Sequence, residues 1–156
     1  MIDKIPSSFE YRLILFSSAL ESENKKNTMN NLIIDAANEK IFLVLIKDKN
    51  IYNVSHENSK TNYEKLILLI NDFLNDYDLE IDEICRLYVN RGPGSYAGIR
   101  NSLAIAKGIY VAKKIDYYCF SFEDFDKSYN NKYENIPNLC DKLKIKKNLI
   151  NPIYIG

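Results

Sequence analysis

Histidine is nearly missing from this sequence of 156 residues: His56 is the only one. A single imidazole excludes paired histidine ligands, and no convincing Ser-His-Asp or Cys-His arrangement can be built around it. Cysteine is sparse as well. Cys85, Cys119 and Cys140 are odd in number and contain no CxxC pair. They read as buried thiols in a reducing compartment, not as a disulfide framework or a zinc site. Net charge is absent, with 21 basic against 21 acidic residues. Such a chain lacks the broad basic field of a protein that grips nucleic acid unaided. The cluster Lys142, Lys144, Lys146 and Lys147 reads as a solvated tail. Long apolar runs are lacking too. Leu13 to Phe16 is too short to span a membrane. With Asp3, Glu10 and Glu21 around it, this run is a poor signal peptide. The expected location is the cytoplasm, without membrane association.

What is present suits one domain with a real core: 46% of residues are hydrophobic, with 12 Tyr and 7 Phe. Residues 1–28 carry no sustained period and read as a flexible extension or an upstream start, with room for a short helix around Phe9 to Leu20. A clean pattern opens at Met29. Leu32 to Asp35, Ile41 to Ile46 and Ile51 to Val54 are short strand-like runs joined by tight polar turns, which predicts an antiparallel meander. Leu66, Ile70, Phe73, Leu74 and Tyr77 recur at helical spacing. Ile84 to Val89 reads as a strand, Ser95 to Lys114 as a helix, and Tyr117 to Phe120 as a strand. The order βββαβαβ predicts an α/β fold, with a mixed sheet and helices on its faces. This is the order of the ribonuclease H-like fold of actin-like ATPases and sugar kinases. After Ser121 the pattern weakens into a loosely organised tail, with a last short strand at Asn151 to Ile155.

The informative stretch is Asn90-Arg91-Gly92-Pro93-Gly94-Ser95-Tyr96-Ala97-Gly98-Ile99-Arg100, placed between a strand and a helix. Gly92 and Gly94 permit unusual backbone angles. Pro93 stiffens the turn between them, and Ser95 suits a helix N-cap. Ala97 and Gly98 keep the first turn slim, so that another backbone can approach. The loop fits either a tight connection without ligand or an anion cradle at a helix N-terminus. It is neither a Walker A loop nor a dinucleotide fingerprint.

Gly92 to Arg100 resembles the signature of the TsaB family, Gly-Pro-Gly-Ser-[Phe/Tyr]-Thr-Gly-[Leu/Ile]-Arg, with Ala97 in place of the usual Thr. Asn31-Leu32-Ile33-Ile34-Asp35 is similar to the family's opening strand. Asn62-Tyr63-Glu64-Lys65-Leu66 falls where the family often carries His-Ser-Glu-x-Leu. The resemblance covers roughly residues 29–125, with 126–156 as a remnant tail in place of most of a second domain. Pro152-Ile153-Tyr154-Ile155 resembles the family's Pro-x-Tyr-Leu ending. The resemblance implies a non-catalytic partner that activates TsaD, the catalytic subunit forming threonylcarbamoyladenosine at position 37 of tRNAs that read codons starting with A. It also implies that this chain alone binds no cofactor or metal. A TsaE-type ATPase would be a further partner, a homodimer would form through the same helices, and tRNA would be met only indirectly.

The signature residues to follow are Gly92, Pro93, Gly94, Ser95, Tyr96, Gly98 and Arg100. By the resemblance, the two long helices form the partner face, with candidates Leu66, Leu69, Ile70, Phe73, Ile99, Leu103, Ala106 and Tyr110. The second helix is apolar almost all round, which implies burial on two sides. Leu103→Glu is then expected to abolish partner binding without unfolding the domain. Asp35 reads as a turn former: Ala36-Ala37-Asn38-Glu39 after it supplies neither the glycine nor the hydroxyl that a phosphate-holding hairpin uses. The competing reading is a small ribonuclease H-like nucleotide phosphohydrolase or kinase relative, with the Gly-Pro-Gly-Ser loop as its phosphate cradle.

Overall fold

The computed structural model describes residues 29–127 and 132–154. The expected extension before Met29, its short helix and Ile155 lie outside the described residues. Five strands form one sheet in the order β3-β2-β1-β4-β5. They are β1 (Asn31–Asp35), β2 (Lys40–Lys47), β3 (Asn50–Glu57), β4 (Arg86–Asn90) and β5 (Asp116–Phe120). The first three pair antiparallel as a meander, while β4 joins β1 in parallel and β5 joins β4 in parallel. The mixed sheet therefore matches the order read from the sequence, and the fold is ribonuclease H-like.

Local chemistry explains the junctions. Asp48 and Lys49 both have positive φ (57° and 81°). They form the two-residue turn that joins β2 to β3, where Lys47 faces Asn50. Two such residues give the turn a twist that suits the flanking strands. The helix expected from Leu66 to Tyr77 is preceded by a separate turn. Ser59 caps α1 (Lys60–Glu64), its hydroxyl accepting the Asn62 N–H at 3.2 Å. The chain leaves helical geometry at Lys65, and α2 runs Leu66–Asn75. Ser95 caps α3 (Tyr96–Lys113), which ends with Lys114 in the left-handed region.

Strand alternation divides the interior into two layers. Leu32, Ile34, Leu43, Leu45, Leu87 and Val89 face α2 and α3, joining Leu66, Ile70, Phe73, Ile99, Leu103 and Ala106. Ile33, Val44, Tyr88 and Phe120 face the other way. Burying each such side chain contributes roughly 1.5–3 kcal/mol, so both faces need cover.

That cover corrects the reading of a loose tail. Past β5 the chain folds back as short turns and α4 (Ile136–Lys142), with Pro137 in its first turn. Ile136, Leu139 and Cys140 are buried against the second face, beside Phe125. The boundary drawn at residue 125 thus has packed side chains on both sides. The final strand does not form over Asn151 to Tyr154, which are neither helix nor strand. A single backbone bond from Ile153 N–H to Arg91 O, 2.7 Å, takes its place. The cysteines form no disulfide, and Cys119 and Cys140 are buried. Desolvation pushes both thiols up to about 12, which makes them poor nucleophiles.

Candidate functional site

The signature loop starts where β4 ends, and its base is a buried polar network. Asp35, at the end of β1, is fully buried. Its Oδ1 accepts from Asn90 Nδ2 at 3.0 Å and from Ala37 N–H at 3.2 Å. Its Oδ2 accepts from the Tyr133 hydroxyl at 2.7 Å. Asn90 Oδ1 in turn accepts the Gly92 N–H at 2.9 Å. Desolvation raises the Asp35 carboxyl above the usual carboxylate range, and the three donors pull it partly back. Tyr133 is raised as well, by burial and then by the neighbouring carboxylate.

The loop is sealed against the hairpin that follows β1. Ser95 N–H donates to Ala37 O at 2.8 Å. A Cβ added to Gly94 would overlap that same carbonyl, and one added to Gly98 would overlap Ala36 O. The slim first turn of α3 therefore admits the chain's own backbone. The expected close approach of another backbone is thus made by the hairpin after β1. Ser95 Oγ accepts the Gly98 N–H at 3.2 Å and lies 2.7 Å from the Tyr63 hydroxyl, so α1 is pinned to the head of α3.

On the outer side, Arg91 grips Asp124 with two nitrogens, at 2.6 and 3.4 Å, and its third donates to Asn151 O at 3.1 Å. The Gly92–Pro93 peptide is cis. Gly92 has φ +109°, and an added Cβ would overlap Ile153 O. Tyr96 and Arg100 point outward and are exposed, and the Tyr96 ring lies 4.7 Å from that of Tyr154. An open hollow of about 670 Å³ lies beside the loop, lined by Ala37, Asn38, Glu39, Lys40, Phe42 and Ser95.

Most of the partner-face candidates turn inward. Leu66, Ile70, Phe73, Ile99, Leu103 and Ala106 are buried in the chain's own core, while Leu69 and Tyr110 are half-buried against it. Helical apolarity alone does not say which stripe meets the sheet. The outward stripe of α3 is Arg100, Ala104, Lys107, Gly108 and Val111, and that of α2 includes Ile67 and Leu68. Val111 is 62% exposed and Leu68 57%. A Cβ on Gly108 would meet nothing within 4 Å.

Two contributors carried little sequence signal. Tyr133 lies 98 positions from Asp35, so no local pattern links them. Asp124 was readable in principle: Ser121 and Asp124 form a capping box. Among the described residues, no group of three His, Cys, Asp or Glu is placed to hold a metal ion. His56 lies half-buried on edge strand β3.

Comparison with known proteins bears on this loop directly. The family model described as TsaD, tRNA N6-adenosine threonylcarbamoyltransferase, matches residues 53–121, which include it. A curated relative, the tRNA threonylcarbamoyladenosine biosynthesis protein TsaB of Buchnera aphidicola subsp. Schizaphis graminum, is 27% identical over 90 residues. The chain is thus similar to TsaB in sequence and to the TsaD model across the loop. The aligned part is 58% of this chain and 43% of that relative, so the chain spans less than half the length of the TsaB it matches. Among solved structures, YeaZ from Pseudomonas aeruginosa superposes with a TM-score of 0.56 at 17% identity, covering 60% of this chain and 44% of that one. A second structure, described as an uncharacterized protein with similarity to peptidase YeaZ from Pseudomonas aeruginosa, gives the same score and identity and is covered to 43%. These likenesses bear out the fold, and no described helix is long and apolar enough to cross a membrane.

Proposed function

We propose that this chain is a TsaB-type, non-catalytic, cytoplasmic partner of a TsaD-type catalytic subunit, acting in formation of threonylcarbamoyladenosine at position 37 of tRNAs that read codons starting with A. The observation that carries the reading is the sealed loop. Ser95 N–H, which an anion cradle would leave free, is spent on Ala37 O. Asp35, at the strand end where actin-like ATPases place an Asp before a phosphate-holding hairpin, is held by three donors of its own chain. These groups stabilise a surface; they do not face a substrate. The phosphohydrolase reading has only the open hollow beside Ser95 to offer, where Glu39 and Lys40 offset each other's charge and leave no net attraction for phosphate.

The partner face in this reading is the outward side of α2 and α3. Ile67, Leu68, Ala104, Gly108 and Val111 offer apolar and small side chains that the chain's own core does not use. The face suits a helical partner that approaches closely, with a second copy of this chain as a weaker competitor for it. A TsaE-type ATPase would join after pairing, and tRNA would be met through the partner, because the chain has no net charge.

Two measurements test the proposal. Leu68→Asp changes an exposed site, so stability should move by less than about 0.5 kcal/mol, while capture by immobilised TsaD-type subunit should fall at least about tenfold. Undiminished capture would remove α2 from the interface. Titration calorimetry of the chain alone with magnesium-ATP should give no binding heat. Saturable binding, or hydrolysis by the purified chain, would favour the phosphohydrolase reading.

A further inference from the structure

Near the end of the described chain, Asn148, Asn151, Ile153 and Tyr154 contact the signature loop or the strand beside it at successive points. Asn148 has positive φ and caps the edge of β5, its side-chain oxygen standing in for a backbone acceptor. Its N–H donates to Tyr117 O at 2.8 Å and its Oδ1 accepts the Tyr117 N–H at 3.0 Å. Its Nδ2 donates to Asp116 at 2.9 Å. Asn151 O then takes Arg91, Ile153 N–H takes Arg91 O, and Ile153 O rests where a Gly92 side chain would be. Tyr154 ends on the Tyr96 ring.

No regular structure organises residues 149–154 from within, so their conformation follows from what they touch. The dependence also runs the other way. Arg91 O accepts the Ile153 N–H. Gly92 is required partly because Ile153 O occupies the space of its side chain. Tyr96, at the first position of α3, has Tyr154 as its ring neighbour.

We propose that residues 148–154 are a clasp that positions the signature loop and, through Tyr96, the head of the partner-binding helix. Ile153 and Tyr154 are its positioning residues. The part concerning partner binding rests on the function proposed above; the part concerning the loop does not.

The test uses the full chain with three substitutions. Ile153→Pro removes the N–H that reaches Arg91, Tyr154→Ala removes the ring, and Tyr154→Phe keeps it. Hydrogen exchange at the Gly92, Ser95 and Gly98 amides reads the loop without any partner. It should quicken by about tenfold or more in Ile153→Pro and Tyr154→Ala while the amides of β1 and β2 stay protected. In Tyr154→Phe it should stay as in the parent. Affinity for a TsaD-type subunit should fall in parallel and be restored in Tyr154→Phe. Leu68→Asp serves as the contrast, losing affinity with loop exchange unchanged. Unchanged loop exchange in both disruptive variants overturns the clasp. Quickened exchange with full partner affinity overturns its link to the partner face. If the parent chain binds no TsaD-type subunit, the function proposal fails while the exchange result still decides the clasp.

Discussion

Asp35 shows how one residue can look functional and serve the fold. It ends the first strand, a position from which a carboxylate could face a ligand, yet it is buried beneath three donors. Its folded pKa is raised above 3.8, mainly by desolvation. A raised carboxyl favours the native state most when protonated. Its contribution is therefore complete below the unfolded pKa and is lost as pH rises through the folded one. Asp35→Asn keeps two acceptor bonds and can donate to the Tyr133 oxygen. It should leave stability near the parent value at neutral pH and flatten the profile above pH 4, as read by urea unfolding at several pH values. Asp35→Ala leaves Tyr133, Asn90 and Ala37 without their acceptor and should cost about 3 kcal/mol. Equal profiles for parent and Asp35→Asn would contradict the raised carboxyl.

Two glycines in one helix make a second contrast at this scale. Gly98 meets Ala36 O, whereas Gly108 meets nothing. Gly98→Ala should destabilise by about 2–3 kcal/mol through overpacking. Gly108→Ala should stabilise the isolated chain by about 0.5–1 kcal/mol, because glycine in a helix interior is entropically costly. Thermal unfolding distinguishes them by the sign of the shift.

At the scale of elements, α3 was legible as a helix but not in its orientation. Its apolar residues surround it, so periodicity alone left the partner side undetermined. Packing against β1 and β4 selects Ile99, Leu103, Ala106 and Ile109 as the inward stripe. Leu103→Glu should thus unfold the domain, at a cost of about 3 kcal/mol or more for a buried carboxylate. A folded Leu103→Glu variant by circular dichroism would place that residue outside the core. The strands and the meander were legible because alternation and turn residues are local signals. The second layer was not: α4 is short, and its apolar residues acquire meaning only beside Phe120 and, much earlier in the chain, Ile33, Val44 and Tyr88. The signature loop was legible as a motif, whereas its partners Tyr133, Asp124 and Ile153 are contacts across sequence distance.

For the whole molecule, both faces of the sheet are covered by the described residues, and the apolar surface left over includes the outward sides of α2 and α3. A chain whose catalytic-looking positions are spent on its own fold, with a small-residue and apolar face left open, is suited to binding another protein. The most direct measurement is co-expression with the TsaD-type subunit of the same organism, followed by size-exclusion chromatography with light-scattering mass. The account predicts one peak containing both chains, heavier than either alone, that separates when Leu68→Asp is introduced. Two separate peaks for the parent proteins, each folded, would contradict it.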